Sequence, residues 1–403
     1  MARLRSRYSG KMTSWAQRSA TSRRPSLGDV LELVHRSAGI TRADLTAQTG
    51  LNRSTIAAVV AELTELGFVS ETEAPGERRV GRPSPLVVPA LEPVVLAVNP
   101  EIDAIELAIV GFSARLHHRE RIPTDTSPTP DDLTAVIVSA LGRMQRRQLR
   151  GRRILGIGLA IPGMVRGDDG LVRWAPHLHW REAPIARMVA DATGLTTTAA
   201  NDASVGAIAE HRFGAGRGVD DLVYLNGSAS GIGGGVILAG SPLHGTSGYA
   251  GEFGQNRPGL AEIDDRVTEH GTVEDEVSRA RVLDLLGLPA ADETTLDAAL
   301  AVTKDRAVLA ELARQRRVLA IALANAVNVL NPRMLVLGGY LASLRDGDPE
   351  ALDAAVAAAA IPAAIEDVSI VTAALGPDRL LIGAAEVALA AVLTDPAAAS
   401  ALA

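Results

Sequence analysis

Two stretches of the chain carry side chains suited to chemistry on a nucleic acid. Arg53, Ser54 and Thr55 stand together just after Asn52, at the front of a run whose apolar residues recur at helical spacing. Short hydroxyls and a forked guanidinium at a helix N-terminus fit base edges and phosphates. Arg78, Arg79 and Arg82 lie in the loop 76–83, whose glycines keep it slim enough to enter a narrow minor groove. A different chemistry is suggested farther on. Asn201-Asp202 joins an amide to a carboxylate directly before a helical run, a pair able to cap that helix without excluding a ligand. The glycine-rich run 226–235 follows a strand, so its amides could wrap an anion, although the Lys-Ser/Thr ending of a P-loop is absent. A second such run spans 245–255, and a purely structural role stays open for both.

Composition narrows the classes. The 403 residues include no cysteine, which excludes a thiol nucleophile, disulfides, iron–sulfur clusters and cysteine-ligated zinc. Hydrophobic residues at 47% and charged residues at 22% are those of a globular protein. Charge is uneven: residues 1–90 hold 13 basic and 8 acidic side chains, whereas the remainder is acidic. Phosphate contacts need only a local basic face, so the net charge of −7 does not argue against DNA. No apolar run approaches the roughly 18 residues of a membrane span, and the first stretch lacks a signal-peptide core. The expectation is a cytoplasmic protein with no membrane partner.

The elements that must position these residues can be read from caps and periodicity. Ser26 and Asp29 have capping-box spacing ahead of Leu27, Val30, Leu31 and Val34; Thr41 and Asp44 repeat it ahead of Leu45. Gly50 suits a tight turn, and Asn52 can cap a third helix striped by Ile56, Val59, Val60, Leu63 and Leu66. The second and third helices match a helix-turn-helix. Gly67 stops the third, and 68–70 can pair with 86–88 as a wing around the arginine loop. A small protein-interaction module is the alternative. Beyond Pro89, strands are expected at 94–98, 105–110, 154–161, 222–225, 236–238 and 334–337. Helices are expected at about 132–147, 182–193, 203–213, 277–287, 306–330 and 379–393, which alternate with the strands as in an α/β fold with its cleft at strand ends.

The chain resembles the ROK family of repressors and sugar kinases, and specifically its transcriptional-regulator branch, similar to xylose and N-acetylglucosamine repressors. The resemblance is carried by the runs 231–235 and 251–255 (Gly-Ile-Gly-Gly-Gly and Gly-Glu-Phe-Gly-Gln), with support from 161–165, 201–203, 329–332 and 337–339. A disordered basic tail is expected over 1–25, and the resemblance implies a winged helix-turn-helix over 26–90 and, over 91–403, a two-lobed α/β domain of the actin/hexokinase type. The resemblance also places Asn201 as a sugar-hydroxyl ligand, Asp202 as the relict of a kinase base, and Glu252 and Glu274 as sugar-binding carboxylates. His177 falls in the segment between lobes, where Trp180 is expected in the core.

Three departures separate this chain from the kinases that it resembles. The run 98–103 (Val-Asn-Pro-Glu-Ile-Asp) lacks the Asp-x-Gly-x-Thr phosphate loop, and Glu101 would repel a triphosphate. The family's zinc ligands are gone, with Gln255 at the histidine position, so no metal and no cofactor is expected. Gln255 can keep one hydrogen bond to a sugar but cannot carry a proton near neutrality. His270 nearby is expected to be a surface or packing residue. The resemblance thus implies a non-catalytic regulator, a repressor of carbohydrate-related genes. It would bind a palindromic operator in double-stranded DNA as a homodimer or dimer of dimers, under control of a sugar or sugar derivative. Helices at 306–330, 351–366 and 379–393 are offered as subunit contacts. A ligand-independent scaffold and an ATP-dependent sugar kinase are the competing readings.

Overall fold

A computed structural model describes residues 27–73, 85–228, 231–259, 266–288, 291 and 293–400. It begins with a small helical head: α1 (Leu27–Ser37), β1 (Ile40–Thr41), α2 (Arg42–Thr49), α3 (Arg53–Glu65), β2 (Val69–Thr72) and β3 (Leu86–Pro89). The expected caps are in place. Thr41 accepts the Asp44 amide, Gly50 ends α2 at φ 70°, and Asn52 accepts the Thr55 amide. The wing strands pair antiparallel, Val69 opposite Pro89 and Thr72 opposite Leu86, and β1 adds a third strand. This is a winged helix-turn-helix. Ser26 and the loop with Arg78, Arg79 and Arg82 lie outside the described residues, as does the 1–25 tail.

The body follows in two lobes. The first contains β4 (Pro93–Pro100), β5 (Ala104–Gly111), β6 (Arg115–Pro123), α4 (Pro130–Met144), β7 (Arg153–Ile161), β8 (Met164–Val165), β9 (Val172–Ala175), β10 (Trp180–Ala183), α5 (Ile185–Thr193) and β11 (Thr197–Asn201). Its main sheet runs β11-β7-β4-β5-β6. Strand periodicity divides the sheet: Val94, Leu96 and Val98 face a core with Leu133 and Ile137 of α4, while Val95 and Ala97 face the opposite way. The polar sequence of β6, Arg-Leu-His-His-Arg-Glu-Arg, hides it from an apolar pattern because it is an edge strand.

Then α6 (Asp202–Phe213) leads into the second lobe, with β12 (Leu222–Ser228), β13 (Gly231–Leu238), β14 (Ser241–Pro242), α7 (Val273–Glu276), α8 (Arg279–Leu286), α9 (Glu293–Val302), α10 (Arg306–Leu330), β15 (Met334–Gly339), α11 (Tyr340–Asp346), α12 (Pro349–Ala359), α13 (Pro362–Ile365) and β16 (Ser369–Thr372). Its sheet runs β14-β13-β12-β15-β16. The chain closes with α14 (Arg379–Thr394), which crosses back onto the first sheet, and α15 (Pro396–Ser400). The two-lobed α/β architecture is therefore as expected.

Two local expectations are corrected. The glycine run after Leu225 is mostly strand among its described residues: Asn226 pairs with Gly233 and Leu225 with Gly234 within an antiparallel β12–β13 ladder, and the Ile232 amide on the outer edge of β13 donates to Glu274 at 3.4 Å. The glycines serve packing instead, since a Cβ at Gly235 would press on Ala203 and Ala207 of α6. The second correction concerns 379–393. The apolar face of this helix is covered internally: Leu381, Ala384, Ala385 and Leu389 are buried against the chain's own strands and head. Its apolar residues were expected to face a partner because an all-round apolar helix looks the same whether its cover is internal or external.

The head shares that core. Val30, Leu31, Val34, Leu45, Ile56 and Phe68 form one continuous apolar cluster with Val95, Val110, Leu389 and Leu393 of the body. Polar ties reinforce it, for Arg153 donates to the Leu66 carbonyl at 3.1 Å and lies over the Phe68 ring at 4.7 Å.

Candidate ligand cleft and DNA-reading head

At the front of α3, Arg53 and Ser54 are exposed and Thr55 is half-buried. Asn52 organises them. Its Oδ1 accepts from the Thr55 amide at 2.9 Å, from the Ser54 hydroxyl at 2.7 Å and from the Thr55 hydroxyl at 3.0 Å. Both hydroxyls therefore keep their acceptor lone pairs outward, while Arg53 extends from the helix end. An ion pair that sequence reasoning missed, Arg42–Glu71 at 2.5 Å, ties α2 to the wing strand β2.

The cleft residues sit at element ends. Asn201 closes β11 and caps α6: its Oδ1 accepts the Ser204 amide at 2.9 Å, and its Nδ2 donates to Gly163 O at 3.0 Å and Asp202 Oδ1 at 3.2 Å. The amide is thus a positioning group with both N–H bonds used. Asp202 Oδ1 also accepts the Ala203 amide at 2.8 Å. Burial, with the Glu252 carboxylate adding to it, pushes the Asp202 carboxyl up to about 6. Glu252, half-buried at the front of a single 3-10 turn (Phe253–Gln255), is likewise raised by burial and by Glu274. Gln255 Nε2 donates to Glu274 Oε1 at 2.6 Å, so its amide steadies a carboxylate. Glycine is required beside it: at Gly231, with φ 111°, a Cβ would lie 2.5 Å from Glu274 Oε2.

These side chains form two groups joined by Glu274. Asn201, Asp202, Glu252 and Gln255 cluster around the start of α6 and the 3-10 turn. His177, exposed on the turn Pro176–Leu178, instead lines a cavity of about 360 Å³ with Gly227, Ser228, Gly231, Glu274 and Tyr340. Trp180 is buried and donates to Pro128 O at 2.8 Å, as its expected core role requires.

The β4–β5 turn offers no phosphate cradle. Asn99 is buried, with its amide 3.4 Å from Glu101, whose carboxyl is raised by burial and by Glu106. Asp103 turns outward to Arg121 at 2.9 Å, and Arg119 bridges Glu106 and Asp378 at 2.8 and 2.9 Å. A carboxylate holds residues 267–268. Buried Glu276 accepts the Val267 amide at 3.0 Å, the Thr268 amide at 2.9 Å and the Thr268 hydroxyl at 2.6 Å, and pairs with Arg314 at 2.9 Å. Sequence reasoning missed Glu276 because the last of three acids in a Val-Glu-Asp-Glu run looks like part of a solvated helix start. Among the described residues no group of three His, Asp or Glu is placed to hold a metal ion, and His270 is exposed.

Comparison with known proteins places this geometry. Residues 96–391 match the ROK family and residues 28–80 the MarR family. The xylose repressor of Caldicellulosiruptor bescii is 24% identical over 320 residues, covering 74% of this chain and 79% of that protein. The DNA-binding transcriptional repressor Mlc of Escherichia coli is 25% identical over 379 residues, covering 89% of this chain and 91% of its own. A solved ROK family transcriptional regulator, a homolog of the Escherichia coli Mlc protein, shares the fold with a TM-score of 0.73 at 22% identity, covering 91% of this chain and 96% of that one. With its family match spanning both lobes of the body, the chain belongs to the ROK family.

Proposed function

We propose that this protein is a non-enzymatic, DNA-binding transcriptional repressor of carbohydrate-related genes whose body senses a sugar or sugar derivative. The domains run as a basic tail over 1–25, the reading head over 26–90 and the sensing and assembly body over 91–403. One observation carries the proposal: a winged helix-turn-helix is packed onto a ROK body that keeps its cleft carboxylates but carries Glu101, facing the buried Asn99, where a nucleotide's phosphates would need a cradle. Phosphoryl transfer depends on positioning and charge stabilisation, so Asp202 alone would activate a hydroxyl toward no electrophile. The relatives named as repressors support the DNA-directed part.

In this reading Arg53, Ser54 and Thr55 read base edges, and Arg78, Arg79 and Arg82 contact the minor groove or phosphates. Asp202, Glu252, Gln255, Glu274 and His177 face the ligand, with Asn201 orienting Asp202. Carboxylates beside a neutral amide favour a neutral polyol over a sugar phosphate. Two heads of a homodimer, or of a dimer of dimers, would meet a palindromic operator. Mobility-shift titration of genomic fragments, repeated with D-xylose, D-glucose and N-acetyl-D-glucosamine, tests the reading. Specific retention of a fragment and its release by a sugar are expected. Failure to bind any fragment at low salt would end the DNA part, and ATP-dependent phosphorylation of a sugar would end the non-enzymatic part.

A further inference from the structure

The helix that begins in the cleft ends at the reading head. Asp202 and Arg212 stand at opposite ends of α6, about 15 Å apart along its axis. Arg212 donates to Glu386 of α14 and reaches Glu32 of α1 at 3.3 Å. Glu386 is 2% exposed and lies 3.0 Å from Nε2 of His35, a fully buried residue of α1. The Ser113 amide donates to His35 Nδ1 at 2.9 Å, which places the ring proton on Nε2, toward the carboxylate. The His35 ring meets Phe112 and Phe213 edge-on at centroid distances of 5.5 and 5.2 Å, and Phe213 is the last residue of α6.

A carboxylate buried at this junction is tolerated only while its partners stay in register. Head and body are thus held in a defined arrangement, not strung on a tether. The route from the cleft is stiff as well. Gly383 of α14 lies so close to α6 that a Cβ would overlap the Val205 carbonyl, so the two backbones touch. The first residue of α14, Arg379, bonds Asn226 Oδ1 on β12 at 3.1 Å, so both helices start beside the cleft and pass the junction. Close-packed elements of this kind shift between discrete positions more readily than they deform.

The geometry points to His35, Arg212 and Glu386 as a latch through which events at the front of α6 set how the DNA-reading head is held. The inference rests on the regulator reading, but its readout needs neither DNA nor sugar, so each can fail alone. Because the chain has no cysteine, two introduced thiols are the only ones present. Spin labels at Gln48→Cys in the head and Arg147→Cys in the body, both exposed positions, report one distance in the full-length protein.

With the latch intact, a single narrow distribution is expected. His35→Phe, which keeps the ring contacts and loses both polar ones, should broaden it measurably although the shared apolar core keeps the head on the body. Arg212→Met should do the same and Arg212→Lys should restore most of the narrow peak. Asp202→Asn should displace the peak with the latch intact and leave the already broad distribution of His35→Phe unmoved. A narrow distribution in both His35→Phe and Arg212→Met would overturn the latch. An Asp202→Asn displacement that is absent, or equal with and without the latch, would overturn its connection to the cleft.

Discussion

Neutralising Asp202 should make the ligand-free protein more stable while removing a cleft charge. Its carboxyl is pushed from an ordinary 3.8 up to about 6, chiefly by burial and further by Glu252. The folded state therefore holds this proton more tightly than the unfolded chain does. Stability from this group is fullest below pH 3.8, falls as pH rises through about 6, and levels off above it. The shift is roughly 2 pH units, so the charged carboxylate costs about 3 kcal/mol at pH 8. Asp202→Asn avoids that cost and can still accept the Ala203 amide, so a gain of about 1–3 kcal/mol is expected at pH 8, shrinking toward zero near pH 4. Urea unfolding of both proteins at a series of pH values, followed by far-ultraviolet circular dichroism, measures the gap; titrating groups other than the coupled Glu252 cancel between them. A variant less stable at pH 8, or a gap independent of pH, would refute the argument that burial of this charge dominates.

Further outcomes follow from other contacts. Arg53→Ala should weaken binding to the retained operator by about 1–3 kcal/mol and relax preference at one base pair, read by mobility shift on singly substituted sites. Gly158→Ala would drive a Cβ into the Ala384 carbonyl of α14 and should cost at least about 1–3 kcal/mol in urea unfolding. Glu276→Gln should remove one of the two carboxylates on Arg314, which keeps Glu311, and loosen residues 267–268, so cleavage there by a broad-specificity protease should quicken at least roughly tenfold. The Glu276 carboxyl itself is held low because hydrogen bonds from Thr268, Val267 and Arg314 outweigh its burial. Its stabilisation should be present above about pH 4.5 and be lost as the pH falls through its depressed value, which the same proteolysis at lower pH would show.

Local signals made much of this molecule legible from its residues. Thr41, Gly50 and Asn52 cap and punctuate the head because their side chains bond only to near neighbours, so spacing sufficed. The apolar runs of β4, β5, β7 and β12 were visible for the same reason. Edge strand β6 was hidden by its arginines and histidines, and the strand formed by Gly231 to Gly235 was hidden because glycine there answers to a helix far away in sequence. The division of the cleft residues around Glu274 was equally out of reach. So was the use of Glu276 as the loop's anchor, since its partners are set by tertiary approach. The latch spans His35 to Glu386, and no periodicity pairs residues so distant.

The continuity of the apolar core from α1 into α14 bears on how such a protein could be cut. A scission near residue 90 would bare Leu389 and Leu393 on one fragment and Val30, Leu31 and Val34 on the other. Each piece would be sticky and poorly soluble. A protease or a truncating mutation there would thus destabilise head and body together, and a separated head would not persist in solution.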